Sequence, residues 1–178
     1  MSRAEKKACG PREPKPGVSP RRILGVDPGL ASSGWGVLEY VGSRLHYIAH
    51  GCIETEAGRS RAERLFFIYR SFCKIIDAYK PSESAIEKLY FGKNVTNAMY
   101  VAEARGVLSM ALARRGIPVK EYNPNAIKQA VVGSASADKR QVQEMVRLIL
   151  GLKEVPKPDH AADALGAAIC CAHSGNPG

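Results

Sequence analysis

The chain has 178 residues, a formal charge of +9 and a sequence pI near 9.5. That length supports one well-buried core and is too short for two ordinary enzyme domains. No stretch approaches the ~20 apolar residues of a spanning helix, the N-terminal region lacks the apolar run of a signal peptide, and the basic balance points to a polyanionic partner.

Residues 1–22 carry seven Lys/Arg against Glu5 and Glu13, so more than half of the excess charge lies there. Rich in Pro, Gly and charge and without apolar period, residues 1–21 are expected to be a disordered basic extension. A single domain is expected over 22–173, followed by a short tail over 174–178. The five cysteines, Cys9, Cys52, Cys73, Cys170 and Cys171, are odd in number and form no C-x-x-C pair, which favours free thiols in a cytoplasmic protein.

Ile23 to Asp27 is an apolar run and predicts a buried first strand. Trp35–Tyr40 and Arg44–Glu54 predict two more, joined by a Gly42-Ser43 hairpin turn. Leu65, Ile68, Tyr69, Phe72, Ile75, Ile76 and Tyr79 recur at three and four and predict a helix over 61–80, stopped by Pro81. Ser84–Glu87 is a short buried strand. Asn94–Arg115 is an Ala-rich helix with Val101, Leu108 and Leu112 toward the core, and Ile117–Tyr122 is a fifth strand. Asn123 before Pro124 opens a short helix ending at Gly133. The next helix starts near Ser136 and ends at Gly151, and the last runs from about His160 to Ala172. This order implies an α/β fold with a mixed five-stranded sheet flanked by helices.

Three carboxylates stand out. Asp27 ends the first strand, Glu87 ends the short central strand, and Asp163 lies on the last helix, where His160 shares its face three residues earlier. Carboxylate oxygens suit Mg²⁺ or Mn²⁺, and the imidazole could complete a shell or move a proton. Two such ions about 4 Å apart activate water and clamp a phosphodiester, which makes phosphodiester hydrolysis the natural reaction. Plainer readings exist for each residue. Asp27 before Pro-Gly could open a turn, Glu87 could pair with Lys88 or Lys93, and Asp159 after Pro158 reads as the N-cap of the last helix.

The strings Ile-Leu-Gly-Val-Asp-Pro-Gly with Gly34-Trp35-Gly36-Val37, Ala85-Ile86-Glu87, Ala104-Arg105-Gly106, Ile127-Lys128-Gln129 with Val132-Gly133, Val142-Gln143-Glu144-Met145-Val146, and Ala161-Ala162-Asp163-Ala164-Leu165 occur in one order. Together they resemble the RuvC family of Holliday-junction resolvases over about residues 22–173. The resemblance implies an RNase H-like fold, a homodimer, and Mg²⁺-dependent paired nicking of four-way DNA junctions during recombination and repair. Two ions per site are implied, with Mn²⁺ as a substitute, and a branch-migration helicase as a further partner. Asp27, Glu87 and Asp163 match the family's carboxylates, and His160 falls where many members carry Asp. Asp159 is one position away, and a one-residue shift on a helix turns a side chain about 100° aside.

The same resemblance assigns DNA contacts. Tyr90 matches an aromatic that stacks on a base, a contact contributing ~1–3 kcal/mol. Phe91 and Lys93 follow it, and Lys128 and Lys139 match DNA-binding positions, with Arg140 adding charge beside the second. Competing readings are an actin-like or sugar-kinase-like ATPase, a related nuclease acting on structured RNA, and a junction-binding module without catalysis.

Overall fold

The structure is a computed structural model that describes residues 20–89 and 95–175. Its elements are β1 (Arg21–Asp27), β2 (Ser32–Val41), β3 (Arg44–Glu54), α1 (Arg61–Tyr79), β4 (Glu83–Glu87), α2 (Val95–Ala113), β5 (Val119–Tyr122), α3 (Pro124–Val132), α4 (Lys139–Ile149) and α5 (Asp159–His173). The strands form one mixed sheet in the order β3-β2-β1-β4-β5, antiparallel through β3, β2 and β1 and parallel through β1, β4 and β5. Gly42 and Ser43 both have positive φ, as a tight hairpin turn between β2 and β3 requires.

β1 is central and covered on both faces, which explains its unbroken apolar run. Leu24 and Val26 pack toward Ile68, Phe72, Leu108 and Leu112 of α1 and α2, whereas Ile23 packs toward Leu165, Ala168 and Ile169 of α5. Side chains alternate along a strand, so Asp27 and Gly25 share the α5 face with Ile23. On β4 the same rule puts Glu83 and Glu87 on the face of Ala85, which also packs toward α5.

Some boundaries differ from the sequence reading. β1 begins at Arg21, because Arg21 and Arg22 are held by Glu83 and Glu39 at 2.6 and 2.7 Å. Arg21, the last residue assigned to the basic extension, therefore belongs to the sheet. α4 begins at Lys139 rather than near Ser136, since Asp138 forms a reciprocal capping box with Gln141. In α5 the N-cap is Pro158, and Asp159 is already helical. β5 starts only at Val119, because Pro118 has no N–H to continue the ladder and pairs only through its carbonyl, which accepts from Ser84. Among the described residues Cys52, Cys73, Cys170 and Cys171 are free thiols. No described helix is long and apolar enough to cross a membrane.

Candidate active site

α5 is the helix on which the site depends. From Ala161 to Ala172 every residue except Asp163 is buried, and most are Ala, so the helix lies directly on β1 and β2. Two glycines make this approach possible. A Cβ on Gly34 would overlap the carbonyl of His160, and one on Gly25 would overlap the carbonyl of Ala164. The first turn of α5 is thereby pressed against the end of β1.

This packing brings Asp27, His160 and Asp163 together, with one potential ligand atom of each within 4.8 Å of the others. His160 Nδ1 lies 2.7 Å from Asp27 Oδ2, so the protonated ring nitrogen donates to the carboxylate and fixes the imidazole plane. Glu87 reaches the site from the neighbouring strand, where Val26 pairs with Ile86 in parallel register. It lines one cleft of about 350 Å³ together with Asp27, His160 and Arg105. It also lines a second, of about 210 Å³, together with Asp163, Lys128 and Lys139.

The charges in this site are under-compensated. Burial, reinforced by the carboxylates of Asp27 and Asp163, pushes the Glu87 pKa up to about 7, against opposition from Lys128 and Lys139. Burial likewise raises Asp163, although Lys139 counteracts it. His160 is raised, chiefly by its hydrogen bond to Asp27. A half-dry pocket holding three carboxylates and one imidazole is the donor set that a divalent cation satisfies, and the geometry fits one.

The residues assigned to DNA contacts fare differently. Lys139 Nζ lies 3.1 Å from Asp163 and 3.4 Å from Asp159, so Asp159 braces a lysine at the rim while Asp163 faces the ligand cluster. Lys128 lines the second cleft with it. Arg140 is exposed and lines neither cleft; its charge acts on Glu144. Tyr90, Phe91 and Lys93 lie outside the described residues. Lys88, weighed as a partner of Glu87, is exposed and lines the larger cleft.

The sequence reading did not assign Arg105 to the site. Val101, expected in the core, is only half-buried and lines the larger cleft with Arg105, one helical turn away. Their spacing of four could have indicated a shared face, but nothing local shows that this face meets the ends of β1 and β4.

The chain is similar to known proteins over nearly all of its described length. The family described as crossover junction endodeoxyribonuclease RuvC matches residues 23–171. A crossover junction endodeoxyribonuclease RuvC of Treponema denticola is 53% identical over 156 residues, covering 88% of each chain. That of Heliobacterium modesticaldum is 52% identical, covering 85% of this chain and 94% of the relative. Among solved structures, T. thermophilus RuvC in complex with Holliday junction substrate superposes with a TM-score of 0.79 at 32% identity, covering 84% of this chain and 92% of that one. The yeast mitochondrial Holliday junction resolvase Ydc2, at 13% identity and a TM-score of 0.60, shares the fold.

Proposed function

The chain belongs to the RuvC family of crossover junction endodeoxyribonucleases, and from that premise we propose that it resolves four-way DNA junctions by metal-dependent, paired, symmetric nicks. The observation that carries the reading is the cluster of Asp27, His160 and Asp163, with Glu87 lining the cleft on either side and Lys128 and Lys139 on the smaller of the two.

Asp27, Glu87, Asp163 and His160 are the residues that would hold Mg²⁺, two ions per site, with Mn²⁺ as a substitute. Bound there, the ions would supply an activated water and electrophilic stabilisation of the scissile phosphate and its leaving oxygen. The protein's own groups do the rest. Asp27 orients the His160 ring through Nδ1, leaving Nε2 for coordination. Lys139 and Lys128 bring positive charge to the rim, where it offsets repulsion between the carboxylates and an incoming phosphate.

A four-way junction has approximate two-fold symmetry, so a homodimer with two related sites suits paired cutting. The outer stripe of α2 supports α2 as the interface. Met99 and Met110 are 53% and 56% exposed, and Gly106 between them leaves open space for close approach. Three helical turns separate the methionines, so they share one face, and Phe66 of α1 adds a further exposed apolar surface. A branch-migration helicase and a cytoplasmic location complete the reading.

The deciding experiment is incubation of a synthetic four-way junction with the protein and Mg²⁺, with both nicks mapped against linear duplex and branched RNA controls. Paired nicks at matched positions on opposing strands are expected. Equal nicking of linear duplex, or none, overturns the reading. Asp27→Asn should retain junction binding in a mobility-shift assay while nicking falls ~100-fold or more, because several kcal/mol of transition-state stabilisation is lost.

A further inference from the structure

Glu87 lines two clefts, and the two assigned cations that line either of them, Lys128 and Lys139, both line the smaller one. Lys128 and Lys139 stand beside Asp163 on the smaller cleft. The larger cleft, on the side of Asp27 and His160, contains Arg105 from the middle of α2. A strand that presents a phosphate to the carboxylates must continue past them in both directions. Its neighbouring phosphates then meet the lysines on one side and the Arg105 side on the other.

Arg105 is built for such a contact. Its side chain is only 17% exposed, against 54% for Lys139, so its guanidinium is held by the fold rather than waving in solvent. Nη2 lies 2.5 Å from Oε1 of Glu121, on the edge strand β5, and Glu121 itself is half-exposed. Among the described residues that contact occupies a fraction of a donor set of five N–H groups in a planar fork, the geometry that matches phosphate oxygens two at a time. The apolar walls around it, Leu89, Val101 and Pro124, lower the local polarity and strengthen an ionic hydrogen bond made there.

We propose that Arg105 binds a phosphate of the cleaved strand next to the scissile one, on the side of Glu87 opposite Lys128 and Lys139. Glu121 is the positioning residue that aims the guanidinium. The inference rests on the reading that this cleft cuts junction DNA, and it adds a second anchor that fixes the strand's course through the site.

Fluorescence anisotropy of a labelled junction, measured against salt in an Asp27→Asn background that leaves the DNA uncut, tests it. Arg105→Gln should weaken binding ~threefold or more and reduce the log–log salt slope by about one, the signature of one lost phosphate contact. Glu121→Gln should leave the slope unchanged. A neutral methylphosphonate placed in turn at each phosphate flanking the cut should reproduce the slope loss at one position, and Arg105→Gln should be insensitive there. An unchanged slope in Arg105→Gln, or the same loss in Glu121→Gln, overturns the proposal and leaves Arg105 as a tie between α2 and β5. Arg105→Lys serves if the Gln variant does not fold. It should lose less than the parent protein at the sensitive methylphosphonate, and equal loss counts against the proposal. Absence of junction-selective binding in the parent protein would instead defeat the function on which the inference rests.

Discussion

Glu83 and Glu87 stand at opposite ends of β4 on one face of the sheet, and the fold treats their charges in opposite ways. Burial disfavours the charged form of both. At Glu83 this is outweighed by Arg21 at 2.6 Å and Lys120 at 2.8 Å, so its pKa is lowered. At Glu87 burial is reinforced by the carboxylates of Asp27 and Asp163 and only partly opposed by Lys128 and Lys139, and its pKa rises to about 7. One end of the strand is neutralised by the protein itself, and the other, in the proposed function, by a bound cation.

This contrast sets a pH dependence. Between the ordinary carboxylate pKa and about 7, folded Glu87 keeps a proton that the unfolded chain has lost, so stability falls as pH rises through that window. Asp163, also raised, acts with the same sign. Thermal melts in EDTA from pH 5 to 8 should show a falling melting temperature, flattened in Glu87→Gln. Mg²⁺ should raise the melting temperature more at pH 8 than at pH 6, because binding requires the deprotonated carboxylates.

Glu83→Ala removes the shared partner of Arg21 and Lys120 and the acceptor of the Cys171 thiol. A loss of about 2–3 kcal/mol is expected in urea unfolding, at the scale of charged hydrogen bonds. Junction cleavage at a temperature where the variant stays folded should be retained. Loss of cleavage in a folded variant would show that the two ends of β4 are coupled.

Gly34→Ala should cost about 1–3 kcal/mol by overpacking, because the added methyl meets the carbonyl of His160. The damage should be functional as well as global. Lifting the first turn of α5 moves His160 and Asp163 away from Asp27, so calorimetry should show weaker Mg²⁺ binding even at temperatures where the fold persists. Unaltered Mg²⁺ affinity would mean that α5 yields elsewhere.

His160→Asp replaces an imidazole with a harder oxygen donor. Activity should survive, with the ratio of Mn²⁺-supported to Mg²⁺-supported nicking falling ~severalfold, because imidazole suits the softer ion. A ratio that does not move would place the ring outside the coordination sphere, as an orienting partner of Asp27 only.

Much of this architecture was legible in the chain. Asp27 and Glu87 announced themselves because a carboxylate ending an apolar strand needs a reason, and Asp163 because it interrupts a stretch of small residues. What stayed hidden depended on long-range placement. Arg105 and Glu121 are sixteen residues apart on different elements, so no local pattern couples them. Asp159 read as the N-cap of the last helix and Asp138 went unread, yet it is Asp138 that caps, since it has Gln141 three residues on to complete the reciprocal bonds. Asp159 instead bonds across to Lys139, a partner that only the packing of α4 near α5 supplies.

The small residues of α5 carry a mechanical consequence. With glycine backbone beneath it and the aliphatic side chains of α3 and α4 packed on its other side, the helix is held against the sheet from both directions. If the proposed function holds, the turn that carries His160 and Asp163 behaves as a fixed anvil, and a branched substrate supplies the bending that brings its phosphodiester to rest there.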